Sequence, residues 1–318
     1  MKTDRLFHGY NCYSAAVGEY CAGMEYAGVH DLILSQWSFF FDKNMLLNGQ
    51  WYTGASDGPV DILLREDLKK FCSLHVEEHY PSNRDSRSEI EHLLKLNNQV
   101  IILVDFYYME SVRWEHLGRF GFERQHNPHF IILEGEGDQE KISFRDPYYN
   151  FRGQMDKELL RKAQSSLTRQ GGVDYRYYSV RHFNDGVENF RELILYRFNR
   201  YISEGQFNLI SVLGEELLSN AEVILEQKDF RWAVDGYFCL KSVIDQHRNL
   251  QDTALRKGIN LPTGLTDLEN KWMLVIKEIF NIFVSQKAFR ADIVKLYDNL
   301  HFIAKHEALF AEKVLAGI

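Results

Sequence analysis

The sequence predicts an α+β domain in residues 1–180 followed by an all-α helical bundle in residues 181–318. Four of the five prolines and 14 of the 21 glycines precede residue 181, as is typical of a region rich in turns. The same region holds the short apolar runs QVIILVDFYY, HFIILEG and KISFRD, which predict strands. After residue 181, apolar residues recur at helical spacing in about five segments. We therefore expect two domains, with a helix packed on an antiparallel sheet in the first and a bundle in the second.

The first helix is predicted in CYSAAVGEYCAGMEYAG, in which Tyr13, Val17, Tyr20 and Met24 share one face. Gly28 follows and is expected to cap the helix. The segments DILLREDLKKFCSLH and RSEIEHLLKL predict two amphipathic helices, and the Asn-Gly turn in MLLNGQWY predicts a hairpin.

Charge and hydropathy exclude several classes of protein. The formal charge is -8, the isoelectric point is near 5.9 and the sequence has no dense Lys/Arg run, so we expect no nucleic-acid partner. The longest apolar runs, such as WSFFF and VIILV, are far shorter than the roughly 20 residues of a membrane span. The amino terminus MKTDRLFHGYNC lacks the apolar core of a signal peptide. These features predict a cytoplasmic protein without a membrane partner.

The four cysteines are scattered and form no C-x-x-C pair, so neither a disulfide framework nor a structural zinc site is predicted. Cys21, Cys72 and Cys239 lie on apolar helix faces and are interpreted as structural. Cys12 lies where the first helix begins, and two interpretations are open. It is either a small buried hydrophobe or a nucleophile.

A thiol at a helix amino terminus faces the positive end of the helix dipole and unpaired backbone N–H groups, which favour the thiolate. The same N–H groups point to where an oxyanion forms in thioester and amide chemistry. Asn11 and the Cys12 backbone N–H are therefore the candidates for the oxyanion hole. A histidine base is also required, and the chain has 12 histidines.

The two strands around EGEGDQE select one of these histidines. If Gly137 and Asp138 form a two-residue turn, His129 lies directly opposite Asp146 on the same face of the sheet. A carboxylate beside an imidazole fixes its tautomer and stabilises the imidazolium. We therefore predict a catalytic set of Cys12, His129 and Asp146.

Other interpretations of these residues are open. His129 could close a strand as a polar cap, and Asp146 before Pro147 is a common way to open a turn. HNPH could supply two metal ligands, although a third and a fourth ligand at a recognisable spacing are missing. A bulge or a longer loop would also shift the strand register.

Asp105 and Tyr108 are the candidates for substrate binding. Asp105 follows a continuous apolar run and so lies at the carboxyl end of a predicted central strand, where polar side chains often reach a site. A turn-capping role is the alternative for Asp105. The aromatic cluster that includes Tyr108 could line a substrate pocket or pack in the core.

The order Cys, His, Asp, with the cysteine at a helix start, resembles that of papain-like cysteine enzymes. More closely, the sequence resembles the butirosin biosynthesis protein H amino-terminal family. NCYSAAVGEYCAGMEYAG, VIILVDFYYM and HFIILEGEGDQEKISFRDPYY carry the resemblance, which covers about residues 7 to 150. The sequence departs from the family pattern at Asn11, where a histidine is expected, and at SQWSFFFDKNMLLNG, which replaces a glycine-rich segment.

The resemblance implies an acyltransferase of secondary-metabolite biosynthesis, of the nonribosomal peptide, polyketide or aminoglycoside type. An acyl group would pass from the phosphopantetheine thioester of an acyl carrier protein to Cys12, and then to an amine on a small acceptor. His129 would be the general base and acid, and Asp146 the orienting carboxylate. No bound cofactor or metal is expected. A cysteine peptidase, amidase or thioesterase with the same residues and a non-catalytic binding protein are the alternatives.

Overall fold

The chain forms two compact units. One contains Met1–Ile33 and Leu64–Val187, and the other contains Leu34–Leu63 and Glu188–Ile318. The computed structural model describes residues 5–24, 26, 28–42, 53–56, 60–81, 87–118, 123–135, 140–168, 171–182, 189–227, 230–284 and 288–317.

These limits differ from the predicted ones in two respects. Residues 34–63 were expected in the first domain but belong to the second unit, and the boundary expected near residue 180 lies at Val187. The Trp37 ring packs 5.0 Å from that of Phe198 and 5.3 Å from that of Phe310. The Ala55 amide donates a hydrogen bond of 3.0 Å to Ser242 Oγ. These contacts place the segment with the helices. The predicted Asn-Gly turn of MLLNGQWY lies outside the described residues.

The first unit contains a six-stranded antiparallel sheet. In chain order its strands are β1 (Leu74–His79), β2 (Gln99–Asp105), β3 (Pro128–Glu134), β4 (Lys141–Asp146), β5 (Phe151–Asp156) and β6 (Tyr177–His182). Their order across the sheet is β1-β6-β2-β3-β4-β5, and every neighbouring pair is antiparallel. Two-residue strands at Leu167–Thr168 and Gly171–Gly172 form a separate pair.

In the described part of this unit, six helices accompany the sheet: α1 (Cys12–Gly23), α2 (Val29–Leu34), α3 (Ile62–Cys72), α4 (Arg87–Asn97), α5 (Trp114–Gly118) and α6 (Lys157–Ser165). A 3₁₀ turn at Phe106–Tyr108 follows β2. The helices and strands predicted in this region are present. Helix α1 ends five residues before Gly28, with Met24 as its C-cap, because the Met24 amide turns back to bond Cys21 O.

Helices cover both faces of the sheet. Successive side chains of a strand point to opposite faces, and Phe130 and Ile131 of β3 show the result. The Phe130 ring lies 5.1 Å from that of Tyr13 in α1. Ile131 belongs to a buried cluster with Leu94 of α4 and Leu160 of α6. Strand β2 is buried at all seven positions because it lies in the middle of this arrangement.

A buried arginine fixes α1 to the sheet. The Arg145 guanidinium on β4 pairs with Glu19 of α1 and donates a hydrogen bond of 2.5 Å to Gln99 Oε1 on β2. Gln99 in turn donates 3.0 Å to the Tyr20 carbonyl of α1. Arg145 also pairs with Glu134 at 2.9 Å. A buried charge is tolerated only when its hydrogen bonds are satisfied, so this network sets the position of α1 over the strands.

The second unit is a helical bundle, as predicted. Its helices are α7 (Phe190–Ser203), α8 (Gln206–Ser219), α9 (Ala221–Gln227), α10 (Phe230–Arg256), α11 (Leu265–Val284) and α12 (Arg290–Gly317). Helix α12 packs against α7, α8 and α11, and α10 packs against α11. The two-residue strands Phe40–Phe41 and Thr53–Gly54 pair within the same unit. Within the described part of the chain, none of the helices has the length and apolar character needed to cross a membrane.

A buried carboxyl lies at the centre of the bundle. Glu307 accepts hydrogen bonds from Tyr201 Oη at 2.5 Å and from Trp272 Nε1 at 2.6 Å, and its Oε1 lies 3.5 Å from His247 Nε2. Burial raises the pKa of Glu307 to about 7, against the effect of the two hydrogen bonds. Burial lowers the pKa of His247 to about 3. Glu307 therefore holds a proton near neutral pH in the folded protein, and His247 is neutral.

These pKa shifts predict a pH-dependent stability difference between the protein and Glu307→Gln. The unfolded chain releases the Glu307 proton near 4.5 and the folded chain near 7. The stabilisation is therefore complete below pH 4.5 and is lost as the pH rises through 7. Relative to Glu307→Gln, we expect the protein to lose about 3 kcal/mol of unfolding free energy between pH 4 and 8. Urea unfolding across this range measures the difference.

His247 also contributes to the pH dependence of stability, with a sign opposite to that of Glu307, because its pKa is lowered by burial. This contribution is present in both proteins and therefore cancels in the comparison. Glu312→Gln, an exposed carboxyl on the same helix, is the matched control and is expected to show no pH-dependent difference. A Glu307→Gln difference that stays constant over the range would contradict the assignment.

Candidate active site

Cys12 is the first residue of α1 and is half-buried. Asn11 caps the helix: its Oδ1 accepts 2.7 Å from the Ser14 amide, while Ser14 Oγ accepts 3.0 Å from the Asn11 amide. This reciprocal capping box satisfies two backbone N–H groups. It also fixes the thiol at the positive end of the helix, as the sequence predicted.

The segment before the helix is held close to it. A side chain at Gly9 would place its Cβ 2.3 Å from Ser14 Oγ and 2.5 Å from the Ala15 amide nitrogen, so only glycine fits there. The Phe7 amide donates 2.8 Å to Glu19 Oε2, which links the same segment to the middle of α1. The backbone on either side of Cys12 is therefore anchored.

His129 and Asp146 are in direct contact. His129 Nε2 lies 2.8 Å from Asp146 Oδ2, and the two side chains are 5% and 0% exposed. The Cys12 thiol lies close enough to the imidazole to raise the pKa of His129. Since Asp146 occupies Nε2, Nδ1 is the ring nitrogen left for the thiol. The structure thus brings together all three residues of the predicted catalytic set.

The strand register that led to His129 and Asp146 differs from the predicted one by two residues. Glu134 pairs with Ser143, and Asp146 is therefore the diagonal neighbour of His129 rather than its direct partner. In the predicted register Glu134 would lie opposite Lys141, whereas eight residues, 135–142, separate Glu134 from its observed partner Ser143. Gly137 and Asp138 lie outside the described residues. Diagonal neighbours are still within reach of long side chains, so the contact forms.

Two further groups hold the Asp146 carboxylate. Ser111 Oγ donates 2.5 Å to Oδ2, and the Tyr149 amide donates 3.4 Å to Oδ1. Ser111 was not predicted from the sequence, because it lies in an irregular loop 35 residues from Asp146 and carries no motif. With these donors the carboxylate is fixed in one orientation toward His129.

Aromatic rings enclose the imidazole. The His129 ring centroid lies 5.0 Å from that of Phe106 and 5.6 Å from that of Tyr149. The Phe106 amide donates 2.8 Å to the Asn127 carbonyl, which ties the 3₁₀ turn to the start of β3. This packing limits rotation of the imidazole and keeps water away from its hydrogen bonds.

Burial lowers the pKa of His129, but the charge and hydrogen bond of Asp146 and the contact with Cys12 outweigh it and raise the pKa to about 10. His129 is therefore an imidazolium at neutral pH. A protonated imidazole between a carboxylate and a thiol stabilises the thiolate, which is the nucleophilic form of cysteine. The arrangement is suited to attack on a carbonyl, with His129 as the proton donor and acceptor.

The other predicted site residues are placed as follows. The Asn11 Oδ1 and backbone N–H both serve the helix cap, so an oxyanion role for Asn11 would fall to its side-chain Nδ2. Asp105 is fully buried and accepts from Tyr107 N at 3.0 Å, His126 Nδ1 at 2.6 Å and Ser166 Oγ at 2.5 Å. This is the turn-capping arrangement that the sequence left open for Asp105. Contact of Asp105 with a substrate stays a prediction.

Tyr108 is half-buried and lies 5.2 Å from the Tyr107 ring and 6.2 Å from the His126 ring. It packs against the buried cluster that includes Phe106 and Trp114, so core packing is the alternative that the structure shows for Tyr108. His126 and His129 bond different carboxylates, so HNPH does not present two ligands to one point. Among the residues described, no three His, Cys, Asp or Glu side chains are grouped to hold a metal.

Comparison with protein families gives one match. The model of the DUF6005 N-terminal domain matches residues 56–180, which is less than half of the chain. The matched region includes Ser111, His129 and Asp146, whereas Cys12 precedes it. Comparison with curated proteins gives no match.

The contact between Cys12 and His129 predicts selective alkylation. We expect iodoacetamide to label Cys12 at least about tenfold faster than Cys239 below about pH 7, because an ordinary thiol is largely protonated there. Cys239 is also half-buried and lies in the other unit, so it is the internal control. His129→Ala should bring the Cys12 rate down to that of Cys239. Peptide mass spectrometry follows both sites, and equal rates in the unmodified protein would exclude an activated thiol.

Ser111→Ala tests whether the orientation of Asp146 matters. Loss of this hydrogen bond, worth about 1 kcal/mol, should slow Cys12 labelling about threefold to tenfold without reaching the His129→Ala level. Ser165→Ala is the matched control, because Ser165 is exposed and bonds only the carbonyl of Lys162 among the contacts described. Identical labelling in the two serine variants would show that Ser111 does not support the site.

Proposed function

We propose that this protein is a cysteine-dependent acyltransferase in which Cys12 carries the acyl group, His129 transfers protons and Asp146 orients His129. The observation that carries the proposal is a buried imidazole that is bonded to a buried carboxylate and lies beside the thiol of a helix-start cysteine. The fold does not identify a reaction, and the description of the matched family states none. The main support for the proposed acyltransferase is therefore the geometry of these three side chains.

In the first half-reaction the Cys12 thiolate attacks the carbonyl carbon of an acyl thioester. The carbon–sulfur bond to the donor breaks as the tetrahedral intermediate collapses, and His129 gives its proton to the departing thiolate. The products are the Cys12 acyl-enzyme, a free donor thiol and neutral His129. Exchange between two thioesters is nearly balanced in free energy, so no further input is required.

In the second half-reaction a neutral amine attacks the Cys12 acyl carbon while His129 accepts its proton. The carbon–sulfur bond to Cys12 then breaks. The amide leaves, and the thiolate and imidazolium are restored. In both halves the oxyanion lies near the amino terminus of α1, where the Cys12 backbone N–H and the Asn11 side-chain Nδ2 can stabilise it.

The substrate class is inferred from the resemblance to the butirosin biosynthesis protein H amino-terminal family. It supports a phosphopantetheine thioester on an acyl carrier protein as donor and a small amine of secondary metabolism as acceptor. The aromatic enclosure of His129 supports transfer over hydrolysis, because a site that excludes water lets an amine compete for the acyl-enzyme. The same residues would serve a peptidase, amidase or thioesterase if water entered.

The test is product analysis with acyl-N-acetylcysteamine thioesters, with and without a panel of primary amines. We expect amide formation that exceeds hydrolysis and a mass shift of one acyl group on Cys12 in the absence of amine. Cys12→Ala should abolish both, whereas Cys239→Ala should retain both. Hydrolysis alone would identify a thioesterase, and absence of acylated Cys12 would overturn the proposal.

A further inference from the structure

A groove in the helical unit has the chemistry of a protein-docking surface. It lies between α11 and α12, has a volume of about 660 Å³ and is open to solvent along its length. Leu268, Phe310, Phe302 and Leu309 are among its apolar lining residues, and the last two are each 41% exposed. Large apolar side chains left in contact with water in a groove commonly mark a binding surface.

The charge of this groove is opposite to that of the chain as a whole. Lys271, Lys277 and Lys313 line it, with Asp267 as its single acidic side chain among the lining residues described. The chain itself carries a formal charge of -8. A basic surface on an acidic protein attracts an acidic partner and orients it during encounter.

The walls of the groove are fixed before any partner arrives. Trp272 donates 2.6 Å to Glu307, and Asn299 donates 2.8 Å to Glu278, so early residues of α11 face late residues of α12. The two helices are therefore antiparallel. Lys295 adds an ion pair of 2.6 Å to Glu278. A preformed surface spends little binding free energy on its own ordering.

The dimensions fit one helix. On α11 the lining residues run from Asp267 to Lys277, and on α12 from Phe302 to Lys313. At 1.5 Å per residue these stretches are about 15 Å and about 16 Å long. They match about three turns of a partner helix. The Lys271 ammonium lies 4.8 Å from the Phe302 ring centroid, so a cation lies beside an exposed apolar side chain in the groove.

We propose that this groove docks an acidic amphipathic helix of the acyl carrier protein that delivers the donor thioester. The occupant's apolar face would cover Phe302 and Leu309, and its carboxylates would pair with Lys271, Lys277 and Lys313. This partner assignment rests on the proposed function. The groove itself is defined by contacts within the helical unit alone.

The binding test uses the full chain with Cys12→Ala, so that no chemistry intervenes. The probe is a type II acyl carrier protein with a fluorophore on its phosphopantetheine, followed by fluorescence anisotropy at low salt. Adding Lys271→Glu and Lys313→Glu together should weaken binding at least tenfold. Arg191→Glu, an exposed cation of the same unit that does not line the groove, should change it less than twofold. Thermal melting verifies that each variant is folded.

The kinetic test compares two donors for the same acyl group. For the carrier-bound thioester, the double lysine variant should lower kcat/KM about tenfold. For the N-acetylcysteamine thioester, which needs no docking, it should leave kcat/KM unchanged. An equal loss with both donors would show damage to the catalytic unit and would overturn the docking proposal.

The outcomes separate the two proposals. Carrier binding that depends on the lysines without any acylation of Cys12 would support docking and refute the acyltransferase. Acyl transfer with no carrier binding, or with binding insensitive to the lysines, would refute docking and leave the acyltransferase standing. Dimers in sedimentation that dissociate on lysine substitution would show that a second copy of the chain covers the groove, which also refutes docking of a carrier.

Discussion

The first unit depends on two adjacent residues of β4. Arg145 is directed toward α1, where it pairs with Glu19, and Asp146 is directed toward His129. Neighbouring side chains on a strand point in opposite directions, so one strand fixes both the helix that carries the thiol and the imidazole that contacts it. A shift of β4 along its neighbours would displace both partners together. The relative position of Cys12 and His129 is therefore a property of the sheet.

This arrangement carries a cost that the rest of the unit offsets. Arg145 and Asp146 are 7% and 0% exposed, and removal of a charged group from water is unfavourable by several kcal/mol unless it is paired. Glu19 and Gln99 accept hydrogen bonds from the arginine and Glu134 forms an ion pair with it. Ser111, Tyr149 and His129 form hydrogen bonds to the aspartate. Many short, directional contacts define one orientation for each charged group. Such fixed dipoles suit a reaction in which charge moves between thiolate and oxyanion.

The sequence was informative wherever a local pattern determined the structure. The apolar runs predicted β2, β3 and β4, and the apolar periodicity predicted that α1 begins at Cys12. His129 and Asp146 were identified through a turn that does not match the observed register, and they meet because side chains separated by two residues on neighbouring strands are still in reach. The prediction that His129 and Asp146 are in contact was therefore correct, whereas the predicted pairing of β3 with β4 was wrong by two residues.

Other features were beyond local patterns. Ser111 reaches Asp146 from a loop whose path depends on Phe106, Trp114 and Met109, and nothing in its neighbouring residues signals that contact. The capping role of Asp105 was one of two alternatives that the sequence could not separate, because both place a carboxylate at a strand end. Residues 34–63 resembled a continuation of the first domain, since their packing partners are separated from them by more than 130 residues of chain. Tertiary contacts of that range leave no periodicity to detect.

Residues 34–63 belong to the second unit although they lie between two parts of the first unit in the sequence. This arrangement affects when the segment can pack during synthesis of the chain. The chain leaves the first unit after Ile33, contributes Trp37 and the two short strands to the bundle, and returns at Leu64. Trp37 is 1% exposed once packed, but its partners Phe198 and Phe310 are made late. During translation Trp37 is therefore made well before its packing partners. Helix α1 and the sheet of the first unit are connected through a segment whose packing is complete only after the carboxyl-terminal helix has been synthesised.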